Sequence, residues 1–197
     1  MFAEDADLEM VLQHLSAARE PTVIANLLQV FSKRKSPRFD ARLIEMCRHG
    51  DTEVRRWALR ALGKIKHPLV RGFALSELEK GVRNQSVIGL FIANFQRDDE
   101  RRILKAIEFP DDDCELHWLL MDVIKVLEAN PDADCSRLGS IIYASTPCEN
   151  CRSDAARLLH RQRVAPGWLT EECRFDSSEE TRELVAEMTR PPQADSE

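Results

Sequence analysis

The chain has 197 residues, with 28 Lys and Arg against 34 Asp and Glu for a formal net charge of −6. That length suits one compact domain or a short repeat array, and it can bury a core without disulfide or metal staples. The 43% hydrophobic and 31% charged content is an ordinary soluble balance, while only 7 Gly and 9 Pro speak against turn-rich β-sandwiches and against collagenous or low-complexity chains.

The predicted elements come in pairs along the chain. Leading helices are expected over 8–18, 40–48, 68–80, 99–108, 135–145 and 167–174. Trailing helices are expected over 21–33, 52–66, 85–97, 114–129, 149–163 and 179–189. In the first pair, Pro21 fits the first helical position after Glu20. In the second, Asp40 to Arg48 carries Leu43, Ile44 and Cys47 on an amphipathic turn. Asp51 then stands as an N-cap, with Glu53 close to the positive end of the helix dipole. Val54, Ala58, Ala61, Leu62 and Ile65 follow at helical spacing, and Pro68 ends the pattern.

That pattern recurs. Asp51 has counterparts at Glu20, Asn84, Asp113, Cys148 and Ser178, at successive offsets of 31, 33, 29, 35 and 30 residues. Val54 falls on Val23, Val87, Leu116, Cys151 and Thr181. Ala58 falls on Leu27, Phe91, Leu120, Ala155 and Val185, and Leu62 on Phe31, Phe95, Ile124, Leu159 and Thr189. A helix pair of this size cannot bury its apolar face alone, so neighbouring pairs must stack. The expected fold is therefore all-α, a solenoid of about six helix pairs. It forms one domain over 1–190, with a polar, Pro-rich and disordered tail over 191–197.

The stretch Asp51 to Gly63 has the shape D-x-x-V-R-x-x-A-x-x-A-L-G and resembles a HEAT repeat of the phycobilisome-lyase type. The likeness is closest over 40–68, extends over 146–190 and is thinner over 8–33 and 70–130. It implies a right-handed α-α superhelix whose trailing helices line a concave surface, and it implies mostly protein scaffolding. The whole chain is also similar to bacterial HEAT-repeat proteins with a Pro-Cys-x-x-Cys-Arg unit, a similarity that implies no particular activity. Arg152 and Arg182 follow the inward position as Arg55 does, and all three are expected to bond carboxylates or carbonyls of the turns.

No run approaches the ~18 apolar residues of a membrane span. Met1 to Asp7 is acidic and lacks the basic and apolar stretches of a signal peptide. A cytoplasmic protein with no membrane association is expected, with Cys47, Cys114, Cys135, Cys148, Cys151 and Cys173 as thiols. The sharpest local motif is Pro147-Cys148-Glu-Asn-Cys151-Arg152. A C-x-x-C pair suits zinc or thiol chemistry, and a thiolate at Cys148 gains from the helix dipole and from Arg152. Cys173 and His160 complete four ligands in principle. However, His160 lies nine residues past Cys151 on one helix, ~13 Å along its axis. The repeat register makes Cys148 a capping residue and Cys151 a small core residue. The expectation is structural packing, with no metal and no cofactor. A redox-sensitive module centred on Cys148 is the alternative.

The charge is uneven. Residues 33–71 hold 12 basic against 4 acidic residues, whereas 101–197 hold 12 against 20. Arg56, Arg60 and Lys64 form one i, i+4, i+8 stripe, and Arg157 and Arg161 occupy the matching positions of the helix over 149–163. Trp118 and Asp122 take the places of Arg56 and Arg60 on the helix over 114–129. These seven residues are the expected partner-binding set, in a partly basic groove suited to an acidic or phosphate-bearing partner. The acidic runs at 98–100 and 111–113 are expected as turns and N-caps. No phosphate loop, dinucleotide fingerprint, nucleophile elbow or H-E-x-x-H occurs, and His117, at the place of Arg55, is expected in a structural bond. The expected function is a non-catalytic adaptor with a protein partner. Nucleic acid is the alternative partner: alkylpurine DNA glycosylases on HEAT-like repeats use acidic and aromatic groups in a basic concavity, and Trp118, Asp122 and Arg157 have that composition. The net charge of −6 opposes that reading.

Overall fold

A computed structural model describes residues 5–82 and 85–189. The expected tail over 191–197, the cap position Asn84 and the side chain of Thr189 lie outside those residues. The chain is all-α, with about twelve helices and no strand among the described residues. In order they are α1 (Asp5–Ala17), α2 (Pro21–Lys33), α3 (Arg42–Met46), α4 (Thr52–Leu62), α5 (Pro68–Leu78), α6 (Phe91–Asn94), α7 (Asp99–Ala106), α8 (Asp113–Ala129), α9 (Ser136–Ser145), α10 (Glu149–Arg161), α11 (Gly167–Cys173) and α12 (Glu179–Thr189). A 3₁₀ stretch, Gln85–Leu90, precedes α6. Backbone contacts divide the chain into two compact units, Met1–Glu108 and Phe109–Glu197. None of the helices is long and apolar enough to cross a membrane.

In the first unit, α4 packs on α2 and α3. The Asp51 carboxylate accepts the Val54 N–H at 3.0 Å and starts the helix. Val54, Ala58, Leu59, Ala61 and Leu62 are all buried, the stripe expected from their spacing. The helix stops at Leu62, short of Lys64, because the chain tightens through Gly63. A Cβ on Gly63 would meet the carbonyl oxygen of Gly89 at 2.7 Å. The glycine is thus required by a backbone-to-backbone approach. Facing α4, α2 buries Ile24, Ala25, Leu28 and Phe31, while Val23 is 48% exposed. Phe31 is buried as expected, but Ile24 and Leu28 take the inward places expected for Val23 and Leu27, since they lie one and two turns before Phe31 on the same face.

The single helix expected over 85–97 is also corrected. It forms a 3₁₀ stretch and then one α-turn. The β-branched Val87 and Ile88 beside Gly89 disfavour a continuous helix. The chain here is held by side chains instead. Asn94 Nδ2 donates to the carbonyls of Ile65 and Leu90, at 2.9 and 3.0 Å. Its Oδ1 accepts the N–H of His67 at 3.0 Å. Arg71 donates to the Asn94 carbonyl at 2.7 Å and grips both carboxylate oxygens of Asp99 at 2.5 and 2.9 Å. Asp99 is fully buried and also accepts the Gln96 N–H. The acidic run at 98–100 is expected as a turn and N-cap, and α7 does begin there; the half-buried guanidinium of Arg71 on α5 also draws Asp99 inward.

In the second unit, α10 packs on α8, α9 and α12. Leu120, Val123, Ile124, Leu127, Ile142 and Leu159 fill its core. Asp112, one residue before the expected cap, accepts the Glu115 N–H at 2.8 Å. Cys148 occupies the N-cap of α10 without a side-chain bond to the helix. The arginines behave as expected. Arg55 donates to the carbonyls of His49 and Gly50. Arg152 bonds Asp176 and the Pro147 carbonyl. Arg182 bonds the carbonyls of Asp176 and Ser177.

Candidate functional site

The seven expected binding residues fall in both units and have different company. On α4, the guanidinium of Arg56 lies over the Trp57 ring at 4.7 Å from its centroid, and that of Arg60 at 5.1 Å. Arg56 also pairs with Glu53. Arg60 and Lys64 are exposed and have no carboxylate partner among the described residues. The α4 face therefore presents an aromatic ring beside Arg60, and Lys64 adds a second cation just past the end of the helix. Arg157 is committed to Asp154 at 2.8 Å and to Glu180 at 3.5 Å. Arg161 lines a cavity of about 530 Å³ together with Glu128, Asp132 and Asp134. Asp122 pairs with Lys125 at 3.0 Å. Trp118 is 52% exposed and meets His117 edge to face, with ring centroids 5.2 Å apart. In the second unit, then, Arg157 is already paired with carboxylates, and Arg161 shares a cavity with acidic side chains.

The Cys148–Cys151 motif has gained a third member. The N-terminal part of α8 carries His117, and the N-terminus of α10 carries Cys148 and Cys151. The Sγ of Cys151 lies 3.4 Å from Nδ1 of His117. One ligand atom from each of His117, Cys148 and Cys151 lies within 4.8 Å of the others. Cys151 is fully buried, while Cys148 and His117 are half-buried. Burial pushes the Cys151 thiol up to about 12, and the neighbouring Cys148 adds to that shift. A hydrogen bond from Thr146 works the other way. The same Thr146 hydroxyl accepts the backbone N–H of Cys148 at 3.1 Å, so it links the turn at Cys148 to the Cys151 thiol.

No family model, curated relative or solved structure matches the chain. The site must therefore be read from its own geometry.

Of the four ligands considered in the sequence, only the two cysteines of the motif come together. Cys173 is buried and bonds the Tyr143 hydroxyl at 3.6 Å. The ring of His160 is buried, its Nε2 has no hydrogen-bond partner, and burial holds its pKa below the ordinary histidine value. His117 was expected only as a structural bond at the place of Arg55. No signal in the sequence pointed to His117 as a neighbour of Cys151, because the expected register set it at the place of Arg55 and Arg152, which reach to turns. The remaining thiols divide by burial. Cys47 is pushed up to about 12 and Cys135 to about 11, both chiefly by desolvation, and Cys114 is exposed.

Proposed function

We propose that the protein is a non-catalytic, HEAT-like helical-repeat adaptor that binds an acidic segment of a protein partner. The observation that carries the partner chemistry is the α4 face: Arg60 and Lys64 without carboxylates, beside Trp57 under two guanidiniums. Such a face suits carboxylates alternating with apolar side chains, because Arg offers a planar fork of donors and Trp offers apolar area. The repeat reading is supported by about twelve helices along the described chain and by three arginines that make the same turn-bonding contacts. A right-handed superhelix belongs to the same reading.

The first unit holds 19 basic against 15 acidic residues and the second 9 against 19. A local excess of cations also favours a second reading, duplex DNA on the α4 face. Pull-down from the native host with wild type and with Arg56→Glu/Arg60→Glu tests the first reading. The expected result is loss of the captured partners in the double variant, and identical partner lists overturn the assignment to α4. Salt-dependent binding to duplex DNA separates the second reading, since phosphate neutralisation makes affinity fall steeply with salt.

A further inference from the structure

The His117, Cys148 and Cys151 cluster has no role in the partner-binding reading. We infer that it is a binding site for one thiophilic divalent cation of the zinc type, with three protein ligands and an exchangeable fourth position.

The donor set is the first argument. Two sulfurs and one imidazole are what zinc takes in tetrahedral sites, in preference to the hard, all-oxygen sets of calcium and magnesium. The spacing is the second. Zinc bonds of about 2.3 Å to sulfur and about 2.0–2.1 Å to nitrogen, at tetrahedral angles, set S···N about 3.6 Å and S···S about 3.8 Å apart. The Cys151 to His117 distance is 3.4 Å, and the three ligand atoms lie within 4.8 Å of one another. Closing that remaining gap needs only a turn of the Cys148 side chain, which is half-buried and makes no capping bond to a backbone N–H of its helix.

The local field is the third argument. Cys148 and Cys151 stand at the N-cap and third position of a 13-residue helix, where the dipole favours negative sulfur. Binding releases one proton from each thiol to water, and the two thiolates neutralise the two charges of the cation. A neutral assembly is the form a buried site tolerates. Arg152, the nearest cation in sequence, is turned away toward Asp176, Ser177 and the Pro147 carbonyl. No fourth His, Cys, Asp or Glu joins the cluster among the described residues. Water then completes the tetrahedron on the half-buried side formed by His117 and Cys148, the arrangement that leaves one position open to exchange.

The test is cobalt substitution of the full chain, kept reduced with a phosphine that does not bind the metal. One cobalt per chain should give thiolate-to-cobalt charge-transfer absorption and visible bands of tetrahedral intensity, and zinc should displace it. Azide should shift the visible bands by replacing the water. Cys148→Ser should weaken cobalt binding more than about 100-fold, since losing even an outer-shell partner costs 10–100-fold. Cys151→Val keeps the fold, because Val54 fills the matching position of α4, and it should abolish the charge-transfer band while circular dichroism stays unchanged. His117→Ala should weaken binding similarly, and Cys114→Ser should leave it alone. Absence of the band in reduced wild type, or its persistence in folded Cys151→Val, overturns the site. A spectrum that azide does not move overturns the open fourth position.

Discussion

The two units handle buried polarity in opposite ways. In the first, Asn94 uses both faces of its amide and Asp99 is held by Arg71 and by a backbone N–H. Only Arg56 Nε is buried there without a partner among the described residues. In the second, the buried Ser153 Oγ, His160 Nε2 and Thr181 Oγ1 have none, and His117, Cys148 and Cys151 crowd around a common point. The net charges differ as well, at +4 and −10 by residue count. A fully bonded buried network fixes one geometry and costs stability when broken. Buried polar groups that stay unbonded lower stability.

The largest expected effect breaks the first unit's network. Asp99→Ala leaves the Arg71 guanidinium without its carboxylate in a largely buried place, and it should cost about 3–5 kcal/mol. Hydrogen exchange should show α5–α7 opening first, with the amides of α8–α12 unaffected. Equal protection in wild type and variant would show that the pair is not what holds that region.

The opposite outcome is expected for the second unit. Thr181→Val replaces a buried, unpartnered hydroxyl by a methyl group of the same shape, and it should be neutral or stabilise by up to about 1 kcal/mol. A clear fall in urea midpoint would show that the hydroxyl has an unseen bond, and the contrast between the units would narrow.

The smallest effect is a pH dependence. Burial lowers the His160 pKa from its ordinary 6.5, so folding favours the neutral ring. The unfolded chain then binds more protons in the window between the folded value and about 6.5. Stability is complete above that window and falls as pH drops toward and through the folded value. His160→Gln removes this proton and should flatten the stability profile between about pH 7.5 and 5. An unchanged slope would assign the pH dependence to other groups. Asp176 acts only at lower pH. Burial works against its ionised form, but the Ser178 N–H and the Arg152 guanidinium outweigh it and lower its pKa.

Many of the helices were legible because their signals are local. Pro21, Asp51, Pro68 and the caps act within one turn of themselves, and α2 and α12 have the expected bounds. The turn-bonding arginines were legible for the same reason, since Arg55 reaches back only five and six residues. Less was readable where burial and spacing disagree. Val23 and Ile24 are both apolar, and only the packing of Phe31 decides which of them faces α4. The stripe over Arg56, Arg60 and Lys64 was read as one run of cations, but α4 ends at Leu62, so Lys64 follows the helix instead of continuing it. On α10, Arg157 and its partner Asp154 were both visible three residues apart, whereas the contact with Glu180 was not, because Glu180 comes from another helix.

The sequence by itself determined the all-helical chain, the places of most of its helices, and the positions of Cys148 and Cys151 at the head of one of them. Those follow from capping, proline and apolar periodicity, which act over three or four residues. Only the tertiary structure decided that Arg71 meets Asp99 across 28 residues and that His117 meets Cys151 across 34. Such meetings depend on how helix faces pack against one another, and small rotations of a helix decide which side chain points at which. The C-x-x-C motif that local rules describe as a cap and a core residue becomes a three-ligand cluster because α8 turns a histidine toward it.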